Sequence, residues 1–172
     1  GLIGFLYGLG ITHVKVYKKP NITIITTGNE LTTPGQPLPL GSIYESNSYT
    51  LKAALLNLGI SAKILTINDD FNATKKTIKK AISNCDILIT TGGISVGDYD
   101  FVGKALNELD TETIFYKVKQ KPGKPLFFGK FNKTLIFGLP GNPAAALSSF
   151  YIYVTSAIYA MMGHNNKTLT IN

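Results

Sequence analysis

The chain has 172 residues, 44% of them hydrophobic and 16% charged, with a net charge of +7. That length is enough to bury a core and favours one domain. The single Cys85 excludes an internal disulfide, and no Cys/His cluster carries zinc-site spacing, so cytosolic chemistry is the default. The charge is carried by lysines spread through helical and turn segments, without an arginine-rich block or an interleaved aromatic platform. Nucleic acid is therefore not expected as a partner, and the lysines read either as a solvated face or as a match for an anionic ligand. His13 and His164 lie near opposite ends and read as surface or internally satisfied residues. No signal peptide is visible, and a start at glycine rather than methionine points to a piece of a longer protein.

Residues 1–10 form an apolar lead-in with the character of a short helix ending at Gly10. Alternation through His13-Val14-Lys15-Val16-Tyr17 predicts a short strand, broken by Lys18-Lys19-Pro20. Ile22 to Thr27 is β-branched throughout and predicts a central strand, which stops at Gly28-Asn29-Glu30. Pro34, Gly35, Pro37, Pro39 and Gly41 make a stiff loop. Ser46 or Asn47 then caps a helix with Leu51, Ala54, Leu55 and Leu58 on its apolar face, closing at Gly59. The unit repeats with a strand over Ala62–Ile67, ending at Asn68-Asp69-Asp70, and a helix over Ala73–Asn84.

The run Asp86-Ile87-Leu88-Ile89 empties into Thr90-Thr91-Gly92-Gly93-Ile94-Ser95-Val96-Gly97-Asp98-Tyr99-Asp100, and Phe101 to Leu109 carries the next helix. A buried strand ending in hydroxyls and paired glycines is where ligands bind in open α/β sheets, because glycine lets backbone amides approach an anion. The alternative is that Gly92 and Gly93 only turn the chain and Asp98 only caps a helix. Three strand ends carry acids: Glu30, Asp69 with Asp70, and Asp98 with Asp100. In a parallel sheet those ends share one edge, so the acids converge.

Beyond residue 112 the rhythm changes. Strands over Thr113–Val118 and Leu126–Phe131 flank Lys121-Pro122-Gly123-Lys124-Pro125, which is either an ordinary exposed turn or a stiff support for two ammonium groups. Asn132-Lys133 turns tightly into Leu135-Ile136-Phe137, predicting an antiparallel hairpin. Gly138-Leu139-Pro140-Gly141-Asn142-Pro143 opens a final helix, Ala144 to Met162, apolar on nearly every side. A buried or dimer-facing helix accounts for that composition better than membrane insertion does.

Five motifs in this order carry a resemblance: Thr26-Thr27-Gly28-Asn29-Glu30-Leu31, Gly41-Ser42-Ile43-Tyr44-Glu45-Ser46-Asn47, Thr91 to Asp98, Lys121 to Pro125, and Gly138 to Pro143. Over about residues 20–163 the chain resembles the molybdenum-cofactor-binding domain of the molybdopterin molybdenumtransferase family, the MoeA and gephyrin type. The resemblance implies a three-layer α/β/α sandwich with a mostly parallel sheet and a C-terminal β-hairpin, like that of MoaB and Mog. It also implies an enzyme that inserts molybdate into adenylylated molybdopterin with release of AMP. Residues 1–19 would be a linker from a missing N-terminal region, 20–163 the molybdopterin-binding domain, and 164–172 the start of a missing C-terminal domain. The family works as a cytoplasmic homodimer whose cleft draws on both subunits, so an isolated piece is expected to bind without turning over.

On this resemblance Glu30, Asp69 and Asp100 are the functional carboxylates, holding magnesium against phosphate or positioning the transferred group. Substrate contacts would come from Thr27, Gly28, Ser46, Asn47, Gly92, Gly93, Ser95, Gly97, Asp98, Gly141 and Asn142. Lys121, Lys124 and Pro125 would face an oxyanion such as molybdate. Asp70 and Asp98 read as helix-starting residues rather than metal ligands. Two departures stand out: Ala144-Ala145 replaces a Val-Ser pair common in relatives, removing a hydroxyl near the oxyanion, and Glu45 replaces a common aspartate, a change expected to be tolerated. Competing readings are a molybdopterin-adenylylating domain of the Mog type, which is not expected to carry the last two motifs, a dimerising scaffold domain of the gephyrin type, and a generic nucleotide-binding α/β domain.

Overall fold

The computed structural model describes residues 1–93 and 101–164. Helix α1 (Leu2–Gly8) is exposed and is followed by an extended, exposed stretch. Strand β1 (Ile22–Thr27) enters the sheet, and short strands β2 (Leu31–Thr32) and β3 (Ile43–Tyr44) pair with each other in parallel beyond it. Helix α2 (Asn47–Asn57), strand β4 (Ala62–Ile67), helix α3 (Phe71–Ile82), strand β5 (Ile87–Thr91) and helix α4 (Phe101–Glu108) continue the alternation. Strands β6 (Glu112–Tyr116), β7 (Phe127–Phe131) and β8 (Thr134–Leu139) follow, and the described chain closes with α5 (Pro143–Ser149), a π-helical stretch over Phe150–Val154, and α6 (Thr155–Met161).

The main sheet has the order β4-β1-β5-β8-β7-β6. Strands β4, β1, β5 and β8 are mutually parallel, while β7 and β6 complete it in antiparallel fashion. Successive side chains of a strand alternate between faces, and the core divides accordingly. Ile22 and Ile24 of β1, Ile87 and Ile89 of β5, and Phe137 of β8 pack with α2 and the terminal helical run. Ile25, Leu88 and Ile136 pack with Ile78 and Ile82 of α3 and with Val102 and Leu106 of α4. Helices therefore cover both faces, which is why β1 and β5 are buried along their whole length. Each of the fully buried isoleucines contributes about 1.5–3 kcal/mol by its removal from water.

The three-layer α/β/α architecture and the hairpin β7–β8 agree with the sequence. Asp70 starts α3 as expected, its carboxylate accepting the Ala73 amide at 2.6 Å. Other expectations are corrected. His13 to Tyr17 forms no strand, because alternation alone does not make one without a neighbour to supply ladder hydrogen bonds. The stiff loop is flanked by β2 and β3, each too short to carry a period. Neither Ser46 nor Asn47 caps α2 through its side chain; Glu45 reaches forward instead, accepting the Ser48 amide at 2.8 Å and the Ser48 hydroxyl.

The final helix is not uniformly α-helical. Thr155 and Ser156 return their hydroxyls to the carbonyls of Tyr151 and Ile152, next to the π-helical stretch, and such back-bonding often bends helices. By length and composition Pro143–Met161 is apolar enough to cross a membrane. Its buried stripe, with Ala146, Phe150, Val154 and Ile158, packs into the first core.

Candidate functional site

The parallel register brings the carboxyl ends of β1, β5 and β8 level. Thr26 pairs with Thr91, and Thr91 with Leu139, so the chain leaves the sheet at Gly28, Gly92 and Pro140 along one edge. The loops touch there. At Gly92, φ is +83°, and a Cβ would lie 2.8 Å from the Thr27 carbonyl oxygen. On Gly141 a Cβ would meet the Gly92 Cα at 4.0 Å. A cavity of about 170 Å³ opens between these loops and the start of α2.

Six of the residues singled out in the sequence line it: Thr27, Glu30, Ser46, Asn47, Gly92 and Gly141. Asn47 ties α2 to the loop after β8, its Nδ2 donating to the Gly141 carbonyl at 2.8 Å. Its Oδ1 is buried with no hydrogen-bond partner among the described residues. A buried acceptor without a donor costs about 1–3 kcal/mol, and this one belongs to a residue that lines the cavity. Glu30 folds its carboxylate over Gly28, where a Cβ would come within 2.7 Å of it. The cavity also takes Tyr44, Glu45, Thr91 and Pro143, which the sequence did not single out as contacts. In sequence Thr91 reads only as the start of the loop, and its place beside Gly92 at a strand end is the signal that finds it.

Asp69 is not in the cavity lining. It braces the edge: the Asn29 amide donates to Asp69 Oδ2 at 3.1 Å, and the Asp69 amide donates to Asn29 Oδ1 at 3.0 Å. The ends of β1 and β4 are thereby locked together. Asn142 caps α5, its Oδ1 accepting the Ala145 amide at 3.1 Å, with Pro143 in the first turn. Gly93 packs against α4, where a Cβ would lie 2.8 Å from a Val102 methyl.

The lysine turn lies at the same edge, because β7 runs antiparallel to β8 and begins at Phe127 opposite Gly138. It is held by Val118, whose amide donates to the Lys124 carbonyl at 3.0 Å, and by Gln120, which donates to the Pro122 carbonyl at 2.9 Å and accepts the Tyr153 hydroxyl at 3.0 Å. Gly123 is buried against Ser149, while Lys121 and Lys124 are exposed. Neither lysine nor Pro125 lines the cavity. Ser95, Gly97, Asp98 and Asp100 lie outside the described residues. Among the described residues no group of three or more His, Cys, Asp or Glu side chains converges to hold a metal. Magnesium commonly takes one or two protein carboxylates, with phosphate and water completing its shell. Glu30 and Asp69 are carboxylates on loops leaving adjacent strands, the first lining the cavity and the second accepting the Asn29 amide.

Fold and cavity together define an α/β domain with an open cavity at the carboxyl edge of a parallel sheet, the place where ligands bind in such sheets. The family described as "Probable molybdopterin binding domain" matches residues 23–160, and the chain belongs to it. The chain is 42% identical over 154 residues to the molybdopterin molybdenumtransferase of Nostoc sp., covering 87% of this chain and 35% of that protein. It is 40% identical over 159 residues to the protein of that name from Haemophilus influenzae, covering 92% and 39%. Among solved structures it resembles a molybdopterin biosynthesis MoeA protein from Pyrococcus horikoshii, with a TM-score of 0.81 and 32% identity, covering 93% of this chain and 40% of that one. The likeness to molybdenum cofactor biosynthesis protein B, at 13% identity and a TM-score of 0.68, concerns the fold alone. The chain thus spans well under half the length of the curated relatives it matches.

Proposed function

We propose that this chain is the molybdopterin-binding part of a molybdopterin molybdenumtransferase acting in molybdenum cofactor biosynthesis. The observation that carries the reading is the cavity at the carboxyl edge, where Gly92 and Gly141 approach each other and Asn47 presents a buried, unpartnered acceptor. A pterin is planar and rimmed with N–H donors, and its phosphate is an anion that glycine-loop amides suit. The names of the relatives support the same choice of ligand.

On this reading Thr27, Gly28, Ser46, Asn47, Gly92, Gly93 and Gly141 hold and orient the pterin, and Ser95, Gly97, Asp98 and Asn142 complete the contacts. Glu30, Asp69 and Asp100 would hold magnesium, which would neutralise phosphate charge beside the carboxylates when bound. Lys121 and Lys124, with Pro125, provide fixed positive charge for molybdate, the second substrate. Ala145 leaves that oxyanion with one hydroxyl fewer. The reading includes a homodimer in the longer protein, a cytoplasmic location, a linker over residues 1–19, the binding domain over 20–163 and a further domain beginning at 164. The Mog-type reading has less support, since the relatives at 35–42% identity bear the molybdenumtransferase name.

Titration calorimetry of the chain with molybdopterin and its adenylylated form tests this, with magnesium and with or without molybdate. Binding is expected, weakened at least tenfold in Glu30→Gln, and molybdate is expected to add to it unless K121Q/K124Q removes its site. A folded chain, and a longer protein containing it, that both ignore molybdopterin would leave the scaffold reading in its place.

A further inference from the structure

The opposite edge of the sheet carries a second cavity, of about 660 Å³, between the amino-terminal halves of β1 and β4 and the flank of α3. Its construction follows from register. Thr23 of β1 pairs with Lys63 of β4, and Ile25 with Leu65. Ile25 packs in the core beneath α3, so Thr23, Lys63 and Leu65 share its face. From above, Lys76 and Lys80 lie four residues apart along one flank of α3, and Asn84 follows just past its carboxyl end. Strand β4 is the edge of the sheet, so the cavity opens sideways to solvent.

Three lysines line this space and no acid does. The nearby Asp86 carboxylate is already engaged, accepting the Asn21 amide at 2.7 Å. Among the described residues Lys63, Lys76 and Lys80 make no ion pair, whereas Lys75 and Lys130 pair with Glu108 and Glu112. The negative end of α3 accounts for Lys79 and Lys80 in its last turn. It does not account for Lys76 a turn earlier, or for Lys63 arriving from a different element. Like charges gathered around one cavity repel, and a compact polyanion removes that repulsion while accepting several ammonium hydrogen bonds. Leu65, Ala81 and the lysine stems give the cavity an apolar wall as well.

We propose that this cavity is a second binding site, for a phosphorylated small molecule carrying two or more adjacent negative charges. It is independent of the glycine-loop site. The test is a titration of the nitrogen-15-labelled chain with inorganic tripolyphosphate and, separately, with ATP, followed by amide shifts. Saturable shifts are expected at Lys63 and over residues 76–84, with affinity falling at least tenfold in K63Q/K80Q and falling again as salt is raised. Both side chains are exposed, so these variants are expected to keep the wild-type melting temperature. K121Q/K124Q is expected to leave the shifts unchanged. Tighter binding of ATP than of tripolyphosphate would identify a nucleotide, and equal binding a phosphate chain alone. Shifts confined to Gly92, Gly141 and the lysine turn, or wild-type affinity in K63Q/K80Q, would overturn the proposal.

Discussion

Replacing Gly92 by alanine tests the idea that the candidate site depends on direct contact between strand ends. At Gly92 φ is +83°, a region that costs a residue with a Cβ about 1–2 kcal/mol. The added methyl would also lie 2.8 Å from the Thr27 carbonyl oxygen and 3.4 Å from its hydroxyl. Thr27 cannot retreat freely, because Thr26 is paired with Thr91 immediately before the glycine. Overpacking of this kind adds about 1–3 kcal/mol. Gly92→Ala should therefore destabilise by about 2–5 kcal/mol, or roughly 4–20 °C in melting temperature for a domain of this size. Gly141→Ala is the control: it lines the same cavity, yet its nearest neighbour is the Gly92 Cα at 4.0 Å, so its cost should stay under about 1 kcal/mol. Urea and thermal unfolding of both variants decide the matter. If Gly92→Ala melts with the wild type, or if Gly141→Ala falls equally far, the strand-end contact does not govern the edge.

Glu45→Ala strips the Ser48 amide and its buried hydroxyl of their acceptor and should cost about 2 kcal/mol in urea unfolding, with Glu45→Gln costing less because one carbonyl oxygen remains. Asp69→Asn keeps an oxygen for the Asn29 amide and should preserve stability while weakening magnesium-dependent ligand binding; Asp69→Ala should lose about 1 kcal/mol as well. Equal binding by Asp69→Asn and wild type in calorimetry would reduce Asp69 to a brace. Burial pushes the Cys85 thiol up to about 11 from 9.0, with the Asp86 charge adding to it and a Thr23 hydrogen bond opposing. The folded state then holds the proton more tightly than the unfolded state, so this contribution is complete below pH 9 and falls as pH rises towards 11, by up to about 3 kcal/mol. Cys85→Ala should flatten that part of the alkaline stability profile, and an unchanged slope would refute the assignment.

Strands β1 and β4 were legible to the residue because β-branched runs ended at glycine or at Asn68-Asp69. Strand β5 runs two residues further than its apolar stretch, since Thr90 and Thr91 still pair with Gly138 and Leu139. Hydroxyls read as a loop are strand when both flanking strands continue. His13 to Tyr17 shows the reverse error, a correct alternation with no strand to pair against. In the site, Thr27, Glu30, Gly92 and Gly141 were visible because each sits where an apolar run stops. The hydrogen bonds of Asp69 to Asn29 and of Glu45 to Ser48 were not, because a carboxylate that bridges two loops or turns back on its own helix looks the same in sequence as any other. The π-helical stretch keeps the four-residue spacing of Ala146, Phe150, Val154 and Ile158, so nothing in the pattern sets it apart from α-helix.

The two edges of the sheet are organised by different physics. At the carboxyl edge neighbouring loops are tied pairwise: Asn29 with Asp69 joins β1 to β4, Gly92 against Thr27 joins β5 to β1, and Asn47 with Gly141 joins α2 to the end of β8. Among the described residues each of these ties holds one strand end to the next, so this part of the cavity is braced before a ligand arrives and part of the ordering cost is already met. Recognition at such an edge depends on shape and on the direction of a few polar groups. At the amino edge, exposed side chains of Lys63, Lys76 and Lys80 surround a larger space, and ordering them opposes binding. Affinity there must come from charge, which makes it broad in specificity and strongly dependent on ionic strength. Salt should therefore separate the two sites on one molecule, weakening the lysine cavity while leaving the glycine-loop cavity much less affected.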